Sequence, residues 1–369
     1  MITILTRFYI FWDLRELVKL SLVIDELVTE KGLDRTTLSG IMCEGILAAY
    51  KKRYPDLDIN VVYNKKTDEI EAFIKKIVVA TVQDEETEIS IRKARALSDD
   101  VAVDEMIEVP FTEKLGRIEI LKAKQVIAQR IRSIEALTIY NEFKPKEGTI
   151  VYGVVYKNEH SGSIVKLGDT FAFLPKSLMI PDEKLSIGYS IRALLKEVLP
   201  EPRHENQLIL DRASVEFLTR LFELEIPEVF EKLVEIKKAV RAAGYKSKVA
   251  VVSHDSNIDP VGTCVGVGGA RIKPILRELG NEKIDIIEYS PEIEHFIKDA
   301  LKPAEINRVQ MMDSTNANVW IDEDQRSFAI GKMGQNISLA SQLTGVNIHL
   351  VKNEPIELPQ IEEFTENIE

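Results

Sequence analysis

The sequence is poor in the residues that build metal centres, disulfide frameworks and nucleophilic sites. Only two cysteines, Cys43 and Cys264, occur in 369 residues, far apart and in no CxxC or Cys/His ligand spacing. Neither a disulfide framework nor a zinc site is expected. Five scattered histidines, His160, His204, His254, His295 and His349, form no HExxH pattern. There is no GxxxxGK(S/T) phosphate loop, and Gly266 with Gly268 fails the dinucleotide pattern because Arg271 stands where a third glycine is needed. Long hydrophobic runs are also missing: the apolar leader over residues 1–12 is too short to span a bilayer and meets Asp13 without a small-residue cleavage site. It reads as an extension of the first helix. No cofactor, no metal, no catalytic residues and no membrane partner are expected from these absences.

What is present is ordinary globular material, 45% hydrophobic and 29% charged. At roughly 100–200 residues per domain the length predicts two to four domains. The net charge of −12 argues at first against an acidic partner, but half of it sits in residues 353–369, which hold six glutamates and no lysine or arginine. The remainder is close to balanced and can carry local basic patches. The tail is expected to be disordered.

Hydrophobic periodicity divides the chain. A helical stripe of Leu14, Leu17, Val18, Ile24, Leu27 and Val28 precedes a second stripe of Leu38, Ile41, Met42, Ile46, Ala49 and Tyr50, which ends in Lys51, Lys52 and Arg53. Alternation at Ile59, Val61 and Tyr63 and a run through Ile77, Val78 and Val79 predict a small sheet, and residues 118–143 a long helix. Five short strands within residues 149–212 predict a small closed barrel of the oligonucleotide-binding kind. Its aromatics Tyr152, Tyr156, Phe171 and Phe173 serve either as core or as base-stacking platforms.

The last third contains an internal repeat. Gly266-Val267-Gly268-Gly269 and Gly331-Lys332-Met333-Gly334 are each followed by an isoleucine six residues after the first glycine (Ile272, Ile337) and a closing glycine fourteen after it (Gly280, Gly345), then a strand-like run. A GxxG loop at a helix start lets a nucleic-acid backbone approach closely and offers it free N–H groups, which is how a KH module clamps single strands. Two matched copies predict tandem type II KH domains.

In the second loop Gly331 and Gly334 shape the backbone, Lys332 points a cation at phosphate, and Gln335 and Asn336 donate hydrogen bonds. In the first, Gly266 and Gly269 do the shaping. Gly268 stands where a basic residue would help, so Arg271 and Lys273 must supply the charge. The run Lys232, Lys237, Lys238, Arg241, Lys246 and Lys248, against the single acid Glu235, is expected to form an RNA-facing patch.

The segment from Leu221 to Tyr289, with "IDPVGTCVG" at 258–266, closely resembles the first KH module of the NusA family of bacterial transcription factors, and "AIGKMGQNISLASQLTGVNIHL" resembles its second. "AKQVIAQRIRSIEA" at residues 123–136 resembles the family's N-terminal domain. The resemblance implies a multidomain α+β chain: an α/β N-terminal, RNA-polymerase-binding domain over 1–145, an S1 barrel of OB-fold type over 146–213, KH domains over 214–289 and 290–352, and the acidic tail. It further implies a non-enzymatic, monomeric elongation factor that binds RNA polymerase core and nascent RNA, works with other Nus factors, and modulates pausing, hairpin-dependent termination and antitermination. Lys124 and Arg117 would touch polymerase or exit-channel RNA. An RNA-processing enzyme bearing the same modules would need a catalytic core for which this chain has no room. A general RNA-binding protein without polymerase affinity is the alternative.

Overall fold

A computed structural model describes Val28 and residues 34–352 apart from 68, 99, 204 and 205. The first helical stripe, the leader and the acidic tail therefore lie outside the described residues, except for Val28. Two compact units result, residues 1–138 and 139–369.

In the first unit, Asp34 caps helix α1 (Arg35–Arg53) by accepting the Thr37 N–H at 2.9 Å, and Lys51, Lys52 and Arg53 occupy the last turn, where the helix dipole favours cations. One side of α1 presents Leu38, Ile41 and Met42 to Ile127 of α3 (Arg117–Phe143), and the other packs Ile46 and Tyr50 on the sheet. The sheet is built on β2 (Glu69–Val79), which pairs antiparallel with β1 (Ile59–Asn64) and β4 (Met106–Pro110) and parallel with β3 (Glu88–Ser90). Strands β3 and β4 and the one-turn helix α2 (Ile91–Ala94) escaped the sequence reading. They are short and lie in a stretch dense with acids, where side-chain alternation is hard to see.

The second unit opens on the last turns of α3, where Phe143 enters the core of a closed five-stranded barrel. Its strands are β5 (Ile150–Glu159), β6 (Gly162–Leu167), β7 (Thr170–Pro175), β8 (Ser190–Arg203) and β9 (Asn206–Asp211), in the order β5-β6-β7-β9-β8, with β7 and β9 parallel. This is the oligonucleotide-binding fold. Gly162 lets the start of β6 approach the end of β7 closely, because a Cβ there would lie 2.2 Å from the Leu174 carbonyl oxygen.

Two copies of one α/β module follow. The first comprises α4 (Val215–Glu225), α5 (Pro227–Phe230), β10 (Val234–Ala242), β11 (Lys246–Ser253), α6 (Pro260–Val265), α7 (Ile272–Leu279) and β12 (Lys283–Glu288). The second comprises α8 (Ile293–Ala300), β13 (Arg308–Met311), β14 (Asn316–Ile321), α9 (Glu323–Ile330), α10 (Gln335–Thr344) and β15 (Asn347–Lys352). In each, the central strand pairs antiparallel with the preceding strand and parallel with the last. The sequence reading missed β10, since it took the basic run as a surface patch and not as a hairpin.

Neither junction in this unit is loose. Ile180 and Leu194 of the barrel share a core with Phe217, Leu221, Ile272 and Ile275 of the first module. Ala250 and Ile287, on the other side of that module's sheet, pack with Phe296, Ile297, Ala340 and Leu343 of the second. The first sheet is thus covered on both faces. Within its core the buried Cys264 thiol is pushed up to about 12 by desolvation, with Glu228 adding to the shift. Because the thiolate is the reactive form, iodoacetamide at pH 8 is expected to spare Cys264 until urea unfolds the module. Rapid labelling of Cys264 itself in the native chain, as distinct from the half-buried Cys43, would contradict this packing.

Candidate nucleic-acid interface

Both GxxG loops are sharp backbone reversals made by positive φ. Gly266 (φ 74°), Gly268 (60°) and Gly269 (77°) form the first, and Gly331 (70°), Met333 (54°) and Gly334 (72°) the second. The first glycine of each loop is obligatory twice over. Besides its φ, a Cβ on Gly266 would come within 2.9 Å of Arg271 Cγ, and one on Gly331 within 2.7 Å of Asn336 Cβ. Gly334 differs: nothing lies within 4 Å of its Cβ position.

Arg271 and Asn336 occupy the same place in the two copies, five residues after the first glycine, and both turn inward. Arg271 donates to the Thr263 carbonyl at 2.8 Å and pairs with Glu228 at 2.6 Å. Asn336, only 3% exposed, donates to the carbonyls of Leu301, Phe328 and Ala329 at 3.2 Å each. Thr263 and Phe328 each lie three residues before the first glycine, so the tie is repeated along with the loop. These two side chains fasten the loop to the helix before it; the direct RNA contact that the sequence suggested does not fit the buried Asn336, whereas Arg271 keeps 34% of its side chain exposed. Gln335 is half-buried at the start of α10.

With the first glycines matched, Lys332 falls opposite Val267 and Met333 opposite Gly268. Val267 is 97% and Met333 89% exposed, so each tip is bare. Lys332 is exposed beside one tip. Lys273 approaches the other, its Cε 3.4 Å from where a Gly269 Cβ would be. Phe328, an exposed aromatic three residues before the second loop, was missed in the sequence because it breaks the helical stripe without joining any motif.

The basic run divides. A bulge between Ile236 and Lys238 leaves Lys237 and Lys238 both exposed, Lys237 pairing with Glu235 at 2.7 Å. Lys232 is exposed as well, and the other three are turned inward, against expectation. Arg241 is wholly buried, bound to the equally buried Glu282 at 2.9 Å and to the carbonyls of Arg212 and Ser214. Lys248 is also wholly buried, 2.8 Å from Asp285, and desolvation lowers its pKa. Lys246 pairs with Asp285 at 2.7 Å and donates to Asn336 at 3.1 Å. Charges on a strand enclosed on both faces must be paired, and here the partners lie 37–41 residues further along the chain.

On the barrel, Tyr152, Tyr156 and Phe171 face solvent, which removes them from the core, while Phe173 is half-buried. Tyr156 and Phe171 sit 5.0 Å apart between ring centroids, and the Arg192 guanidinium lies 5.5 Å from the Tyr152 ring. Tyr152, Lys166, Ser190, Arg192 and Glu278 line an open cavity of about 430 Å³. In the first unit, Arg117 is exposed at the start of α3. Lys124 is half-buried, and that burial lowers its pKa.

A five-stranded oligonucleotide-binding barrel joined to two GxxG modules defines a multidomain nucleic-acid-binding protein of the S1–KH–KH class. Residues 19–136 match the family of NusA N-terminal domains, 212–289 that of NusA-like first KH domains and 293–357 that of NusA-like second KH domains. Three transcription termination/antitermination proteins NusA are similar along most of their length. The one from Thermus thermophilus is 36% identical over 90% of this chain and 90% of its own. That from Bacillus subtilis is 36% identical over 87% of each chain, and that from Rickettsia conorii 35% identical over 94% of this chain and 70% of its own. The chain belongs to the NusA family of transcription termination/antitermination proteins. No helix among its described residues is long and apolar enough to cross a membrane.

Proposed function

We propose that the chain binds RNA polymerase core through its N-terminal domain and holds nascent RNA on the barrel and the two GxxG loops. By doing so it modulates pausing, hairpin-dependent termination and antitermination in the cytoplasm, as a monomer that makes and breaks no bond. The observation that carries this reading is the twice-built loop: a bare, positive-φ reversal at a helix start, pinned from behind by the residue five positions on. Lys332, Lys273, Lys237 and Lys238 supply phosphate-directed charge, the loop backbones supply N–H donors, and Phe328 with the barrel aromatics supplies stacking surface. Arg117 and Lys124 are the candidate contacts to polymerase or exit-channel RNA.

Two experiments test it. The chain should co-elute with purified bacterial core polymerase on size exclusion; RNA affinity without co-elution would favour the general RNA-binding alternative. Lys332→Ala should weaken single-stranded RNA binding and make the slope of log K against log salt shallower by about 1, as for loss of one phosphate contact. An unchanged slope would remove Lys332 from the interface.

A further inference from the structure

The two KH modules share one architecture, yet the outer faces of their sheets are built differently. In the first, Ala250 on β11 lies opposite Lys238, and Lys248 opposite Asp285. Around Ala250 and Ile287 that face is small and apolar, with Lys248 neutralised by Asp285, and there it is covered by the helices of the second module, while Lys238 stays exposed. At the corresponding positions the second module has Trp320 opposite Arg308 and Asn318 opposite His349. Strand alternation places these four outward with Gln310 and Val351, since Ala317, Val319, Ile321 and Ile348 point into the core.

A third module docked in the same way would need the small apolar residue where Trp320 stands. What stands there instead is an indole with the Arg308 guanidinium 5.0 Å from its ring, beside amides and an imidazole. Arg308 also donates to Gln310 at 3.0 Å, and the Asn318 amide makes no hydrogen bond within the described residues. Although the chain carries a net charge of −12, the outward positions of these three strands hold no carboxylate. Asp313, in the turn at the margin, is engaged by Thr315 and Asn316. A sheet face bearing an aromatic ring, a planar cation and an unengaged amide is a surface on which single-stranded bases stack and are read at their edges.

We infer that the outer sheet face of the second KH module, centred on Trp320, Arg308, Asn318 and His349, is a second single-stranded RNA site, on the opposite side of the sheet from the helices that carry the GxxG loop. This inference rests on the RNA-binding reading above. In a Trp12→Phe background Trp320 is the sole tryptophan, so its emission reports on this face while the anisotropy of labelled oligouridylate reports total binding. Oligouridylate should quench Trp320 along the binding curve, and quenching should persist in Lys332→Ala. Arg308→Glu, an exposed substitution, and Trp320→Ala should each weaken binding about tenfold, the scale of one lost stacked base. Saturation by anisotropy with unchanged Trp320 emission, and wild-type affinity in Arg308→Glu, would overturn the site and leave the loop clamps standing. No binding in either channel would overturn both readings. Quenching by polyglutamate as strong as by oligouridylate would assign the face to acidic peptide and overturn the proposal.

Discussion

Replacing Arg241 by methionine is expected to lower the unfolding free energy of the second unit by about 3–5 kcal/mol, the cost of leaving a buried charge without its partner. Glu282 would keep only the Ser247 hydroxyl and the Gly244 N–H as donors, inside a site where neither member of the ion pair is exposed. The carbonyls of Arg212 and Ser214, where the chain passes from barrel to first KH module, would also lose their shared donor. Arg241→Met with Glu282→Leu should recover much of the loss, because replacing both charges removes the uncompensated one. Urea denaturation of the single and double variants checks this. A single variant within about 0.5 kcal/mol of wild type, the range of ordinary surface changes, would mean that the pair is not buried as described.

The second large effect separates clamp from scaffold. Gly334→Asp sets a carboxylate on a bare loop tip with open space around its Cβ, so the fold should bear only about 1–2 kcal/mol of left-handed strain. RNA binding should fall by more than tenfold, since the new charge meets phosphate. Gly331→Ala adds no charge but drives its Cβ into Asn336, and is expected to destabilise the second KH module by a further 1–3 kcal/mol. Circular dichroism and RNA affinity read together distinguish the two: native spectrum with lost binding for Gly334→Asp, early melting for Gly331→Ala. Equal RNA affinity in Gly334→Asp and wild type would remove the second loop from the interface.

These two cases also show what the amino-acid pattern disclosed and what it hid. The repeat, its glycines and the barrel were visible because they depend on local geometry: a positive φ asks for glycine and a strand shows alternation, whatever is packed around it. The roles of Arg241, Lys248, Arg271 and Asn336 were hidden because they depend on partners distant in sequence. A basic residue on a solvated strand and one enclosed between two modules look alike until Glu282 and Asp285 are placed beside them. Arg271 and Asn336 differ in chemistry while sharing a position, so no residue-type pattern joins them. Their common job appears only when the carbonyls of Thr263 and Phe328 are seen three residues before each loop. Lys124 carried a motif match, but the match did not reveal its burial.

In the function proposed above, the chain acts by binding energy, holding RNA on its loops while seated on polymerase. About 1.4 kcal/mol of stabilisation of a paused state lengthens it tenfold. The most direct measurement is pause lifetime in single-round transcription on a hairpin-paused template with purified polymerase, comparing no factor, the intact chain and Gly334→Asp. A longer pause is expected with the intact chain, and a shorter extension with the variant. A lifetime unchanged by the intact chain, under conditions where it binds RNA, would contradict that function.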